Sequence, residues 1–183
     1  GLPMHPSIFF PYFPNFVSSA EDFIESYNHW SGAIVLTSDT SSGSLINNGP
    51  LWKYELNEFD NNHLLDGLTQ LVKSYYLAGA EEIMVSASPT MHWKRNENGD
   101  IEEFLSKILA IKNQPYRLLL GSAHQMGTAR INPNPEHGVV DLNGKVHGLE
   151  NVYIVDASTF PRCSGVNPMI SIQSMSHFLM SKI

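Results

Sequence analysis

Residues Ser122–Ile131, SAHQMGTARI, set a single His among small residues, follow it with Gly and Thr, and close on an Arg and an Ile. The stretch has neither helical nor alternating apolar spacing, so it reads as a shaped loop, the kind of segment in which chemistry often sits. Oxidising an alcohol requires removal of the hydroxyl proton as the C–H hydride leaves, and an imidazole at His124 can take that proton at neutral pH. A second stretch, Ser164–Ser174 (SGVNPMISIQS), reads as the start of a helix. Asn167-Pro168 suits its first turn, because Pro lacks the N–H that would be unpaired there anyway. The free amides and partial positive charge of a helix start favour negative charge in front of it, such as the pyrimidine ring of a reduced flavin. Asn167 can then hydrogen-bond the same substrate oxygen as His124. Asp156 ends NVYIVD and precedes ASTFP, where small residues let a cofactor's polar chain come close to the backbone. Each feature has a plain structural alternative: a loop His, an ordinary capped helix, a turn-initiating Asp. The functional reading rests on their combination.

The elements that position these residues follow from pattern. Residues 1–17 are rich in Pro and aromatics, which excludes a regular helix. Phe9, Phe10, Tyr12, Phe13 and Phe16 either pack that irregular segment onto a core or line an apolar channel. SSAEDFIESYNHW has helix-start chemistry, with Ser18 or Ser19 as cap and Glu21 and Asp22 in the first turn. GAIVLTSDT is predicted to be a buried strand, with SGSLIN and LWKYEL as two more, joined by a turn at Asn48-Gly49-Pro50. Leu64, Leu65, Leu68, Leu71, Val72 and Tyr75 recur at helical spacing, with Gly79 as C-cap. EEIMVSAS reads as a strand, NENGD as a turn and IEEFLSKILAIK as an amphipathic helix. From Ser122 loops dominate, with short strands expected at GVVD and NVYIVD and a last helix starting near Pro168. The expected class is α+β: a mostly antiparallel sheet flanked by helices over residues 1–121, then strands and a helix over 122–183.

Composition narrows the function. The 183 residues are 42% hydrophobic and 16% charged, a globular composition. A net charge of -7 gives phosphates no basic stripe, which argues against nucleic acid as a partner, and offers no polybasic membrane anchor. The lone Cys163 cannot form an internal disulfide, which is compatible with a reducing compartment. The eight His residues show no metal-site spacing, so no metal is expected.

Taken in order, SAHQMGTAR, HGVVDLNGKVHGLENVYIVDASTFP and SGVNPMISIQSM closely resemble the C-terminal signature of the glucose–methanol–choline flavoenzyme family. SAHQMGT with GVNPM looks most like the long-chain (fatty) alcohol oxidases, and LAGAEEI extends the likeness weakly upstream. The resemblance implies FAD as cofactor and a primary, long-chain alcohol as substrate, with molecular oxygen as electron acceptor. It implies that His124 and Asn167 are catalytic, and that Asp156, Ala157, Asn167, Pro168 and Met169 contact the cofactor. It makes 1–121 part of a substrate-binding domain and 122–183 the completion of an FAD-binding domain. Ala129 stands where relatives often have Cys, and Ile131-Asn132 where they have Met-Gly. The family's N-terminal GxGxxG does not occur here, so the chain resembles the C-terminal portion of a larger enzyme, inactive without the rest. A homo-oligomer is compatible with this reading. The final Ser-Lys-Ile resembles a peroxisomal address as readily as a plain helix end, an intracellular expectation. A dehydrogenase, a hydroxynitrile lyase and a non-catalytic interaction module stand as alternatives.

Overall fold

The computed structural model describes residues 25–46, 51–112, 114 and 116–182. The aromatic N-terminal stretch, the Ser18/Ser19 cap and the Asn48-Gly49-Pro50 turn lie outside them. Two compact units are present, Gly1–Leu120 and Gly121–Ile183.

The first unit is built on two helices, α1 (Glu58–Leu77) and α2 (Ile101–Leu109). Helix α1 starts where Asn57 accepts the Asp60 amide on its side chain at 2.8 Å, with Glu58 and Asp60 in the first turn. It ends as its sequence requires. Gly79 takes φ +90°, and the amides of Gly79 and Ala80 return to the carbonyls of Tyr76 and Tyr75. Arg95 completes that end: its guanidinium donates to the carbonyls of Tyr76 (2.7 Å) and Ala80 (3.1 Å) while lying 4.4 Å above the Tyr76 ring. Helix α2 is capped by Asp100, which accepts the Glu102 amide. Its buried residues Ile101, Phe104, Leu105 and Ile108 form one stripe at helical spacing. That stripe packs with Leu65 and Val72 of α1 and with Ile83, Val85 and Trp93 of a hairpin into a single core.

Four short strands form two separate antiparallel hairpins: β1 (Ser44–Ile46) with β2 (Leu51–Lys53), and β3 (Glu82–Val85) with β4 (Met91–Lys94). The α+β class holds, but among the described residues there is no continuous sheet. Strand β4 was not anticipated; its alternation is only four residues long, and it becomes a strand because Trp93 is buried opposite Ile83.

GAIVLTSDT corrects the expectation of a buried strand. The segment is extended but pairs with no strand, and Ile34 and Leu36 are exposed. Extended residues become a strand only when a neighbour supplies the ladder, and here the segment lies along a helix. Ser31 meets the Tyr75 hydroxyl, Val35 fills the space above Gly67, and Thr40 and Ser41 bond Asp60. Val35, Thr37 and Asp39 are accordingly half-buried and the residues between them exposed. Asp60 is 1% exposed and accepts the backbone amides and hydroxyls of both Thr40 and Ser41. Burial pushes its carboxyl pKa up, but these bonds outweigh burial and hold it below the usual carboxylate range.

The second unit is mostly loop around α3 (Met169–Met180). The strands expected at GVVD and NVYIVD are reduced to single bridges: Val140 to Ile131 and Val146, and Lys145 to Tyr153. Turns interrupt each run before a ladder can extend. Asp141 accepts the amides of Asn143 and Lys145, which hold its carboxyl below the usual range against the effect of burial. Helix α3 is anchored by Leu179, fully buried, and by the Ser176 hydroxyl donating to the Val155 carbonyl. Among the described residues no helix is long and apolar enough to cross a membrane.

Candidate active site

All the candidate site residues lie in the second unit. His124 sits in an exposed loop, and among the described residues its ring makes no hydrogen bond or ion pair. None of the backbone amides from Gly121 to Thr128 donates a hydrogen bond. Side chains shape the loop instead. Gln125 Nε2 donates to the Ser122 carbonyl at 2.7 Å, and Arg130 Nε to the Gly127 carbonyl at 3.2 Å. Gly127 takes φ +87° and lies so close to the Phe160 carbonyl that a Cβ would come within 3.3 Å, which explains a glycine three residues after the His.

From Ala129 the chain is tied down by its backbone. The amides of Ala129 and Ile131 donate to the carbonyls of Ser158 and Thr159, both at 2.9 Å. Those carbonyls belong to a 3-10 turn, Ala157–Thr159, that Asp156 opens by accepting the Ser158 amide (2.8 Å) and hydroxyl (2.5 Å). The segment after His124 is thus joined to the turn that carries Asp156 and Ala157. The Val155 carbonyl next to Asp156 takes the Ser176 bond, which joins the same turn to α3.

Helix α3 begins one residue beyond Pro168, which is buried at the cap with φ -89°. Its first full turn closes from the Ile172 amide to the Pro168 carbonyl at 2.8 Å. Asn167 is exposed, and its Oδ1 accepts the Met169 amide at 3.2 Å. That bond fixes the amide's orientation: the oxygen faces the helix and the NH2 is free to donate elsewhere. Helix geometry leaves the Ile170 and Ser171 amides without an intrahelical carbonyl. No hydrogen bond joins His124 to Asn167. A shallow cavity of about 360 Å³ in this unit is lined by Asp141, Lys145, His147 and Glu150, among others, and by none of the candidate site residues. His124, Asp156, Asn167 and Met169 are exposed, Ala157 is half-buried and Pro168 is buried.

These residues fit one end of a flavin. The free amides at the α3 start and the Asn167 NH2 are the donor set that an electron-rich pyrimidine ring needs. Asp156 is exposed with one carboxylate oxygen unused, as a contact to a polyol hydroxyl requires. Sequence reasoning located the helix start. It missed the two side-chain bonds that shape the loop, which no periodicity announces.

A family model for the C-terminal part of GMC oxidoreductases matches residues 31–176, most of the chain. The chain belongs to the GMC oxidoreductase family. Among its relatives, the long-chain-alcohol oxidase FAO3 of Arabidopsis thaliana is 30% identical over 163 residues, 86% of this chain and 22% of the relative. The long-chain-alcohol oxidase FAO4A of the same plant is 30% identical over 182 residues, 95% of this chain and 24% of the relative. A 6'''-hydroxyparomomycin C oxidase of Streptomyces lividus is 48% identical over 54 residues, 30% of this chain and 10% of the relative. The chain therefore spans less than a quarter of the length of the two plant relatives.

Proposed function

We propose that this GMC oxidoreductase chain is the C-terminal part of an FAD-dependent alcohol oxidase that converts a primary, long-chain alcohol to its aldehyde. The observation that carries the proposal is the pair of uncommitted groups, the His124 imidazole and the Asn167 NH2, within the matched region of a family whose relatives include long-chain-alcohol oxidases. In this reading both groups face one alcohol oxygen. The Asn167 NH2 donates to that oxygen and steadies the charge that builds on it as the proton leaves. His124, with neither ring nitrogen held by any of the described residues, takes the hydroxyl proton at one of them. The α3 amides and Asn167 hold the flavin's pyrimidine end, Asp156 and Ala157 its polar chain, and Pro168 and Met169 set the helix start beneath it. FAD, when bound, supplies the acceptor for the hydride. The second unit then completes an FAD-binding domain and the first forms part of the substrate domain.

Replacing His124 by Ala in the intact enzyme tests this. Anaerobic flavin reduction by a long-chain alcohol is expected to slow by ~10²–10⁴-fold with FAD still bound; an unchanged rate removes His124 from the mechanism. Oxygen uptake with decanol separates an oxidase from a dehydrogenase or a hydroxynitrile lyase.

A further inference from the structure

We infer that Gln125 is a positioning residue, holding His124 in the conformation from which it takes the substrate proton; this rests on the role of His124 proposed above. The loop around His124 makes no backbone amide bonds of its own, and Ser122, Ala123, His124 and Gln125 are all exposed. Such a stretch samples many conformers, and holding it in one costs entropy that some contact must offset. On its C-terminal side the contact is backbone, through the Ala129 and Ile131 amides. On the His124 side it is Gln125, whose Nε2 reaches back 2.7 Å to the Ser122 carbonyl and closes a ring spanning His124. That ring fixes the backbone on both sides of the imidazole and so sets the direction in which its Cα–Cβ bond points. Among the described residues the imidazole has no partner to orient it, so this constraint on its backbone matters more than it would for a His held by a carboxylate.

The test uses the intact, FAD-loaded enzyme with Gln125→Met, which keeps the side chain's length and removes the donor, and Gln125→Lys, which keeps an N–H donor. One neutral hydrogen bond typically changes a population by roughly 2- to 10-fold. Gln125→Met is therefore expected to reduce flavin with decanol about 2- to 10-fold more slowly, with KM, FAD content and melting temperature unchanged. Proteolytic cleavage within residues 121–128, which requires the loop to leave its held conformation, is expected to speed up by a similar factor. Gln125→Lys should recover at least half of both losses. A wild-type rate and wild-type cleavage in Gln125→Met would overturn the inference. So would a raised KM at an unchanged rate, which makes Gln125 a substrate contact instead. If His124→Ala abolishes flavin reduction while Gln125→Met leaves both readouts untouched, only this inference fails. If His124→Ala changes nothing, the proposed function fails, and proteolytic cleavage of the loop still reports whether Gln125 holds it.

Discussion

Replacing Asn167 by Asp separates the two jobs of that side chain. In the native structure Oδ1 accepts the Met169 amide at 3.2 Å, and the NH2 is left to act on substrate. Asp keeps the shape and the acceptor. Its negative charge at the start of the twelve-residue α3 is favourable, by about 0.3–1 kcal/mol at an exposed site. The variant should therefore be as stable as the parent or slightly more so. Its catalytic effect runs the other way, because the donor is lost and a carboxylate faces an oxygen that is becoming negative. Losing one such donor costs about 2.7–4 kcal/mol of transition-state stabilisation, or ~10²–10³-fold in rate. Asn167→Ala should lose the donor and the bond to the Met169 amide together, slowing the reaction to a similar degree and costing about 1 kcal/mol of stability as well. Melting temperature and anaerobic flavin reduction, measured on both variants of the intact enzyme, give the four numbers needed. If Asn167→Asp reduced flavin at the parent rate, or destabilised the protein more than Asn167→Ala, the assignment of oxygen to helix and NH2 to substrate would be refuted.

Three further outcomes follow from the packing and electrostatics. The stability that Asp60 contributes is fully present above the ordinary carboxyl pKa of ~3.9 and is lost as pH falls through its lower folded value. Proteolysis within residues 32–38 should therefore rise only under strongly acidic conditions, and a midpoint above pH 5 would contradict this. Asp60→Asn turns one acceptor oxygen into a donor facing the amides and hydroxyls of Thr40 and Ser41, so cleavage of the same segment should already be raised at pH 7. Gly138→Ala should lower the melting temperature by several degrees, since its Cβ would stand 2.7 Å from the Arg130 carbonyl oxygen and 2.5 Å from Asn132 Cβ; an unchanged melting temperature would show that the turn gives way freely.

The helices were legible because their information is local. The Leu64–Tyr75 spacing and Gly79 placed α1, and Asn167-Pro168 placed the start of α3 to within one residue. The strands were less so, because a strand is completed by its neighbour. GAIVLTSDT has strand composition yet lies along α1, while Met91–Lys94 has little pattern and is a strand because Trp93 is needed in the core. At the site, residue types and order pointed to His124, Asn167 and Asp156. The bonds that shape their surroundings, Gln125 to Ser122 and Asn167 to Met169, depend on where the backbone turns, and nothing in the sequence encodes that in a readable period.

The most direct measurement is an experimental structure of the intact enzyme with FAD and a bound long-chain alcohol. The account predicts that one nitrogen of His124 and the NH2 of Asn167 both lie within hydrogen-bond reach, ~2.6–3.2 Å, of the same alcohol oxygen, with the α3 amides against the flavin. An alcohol oxygen bound out of reach of either side chain would contradict it.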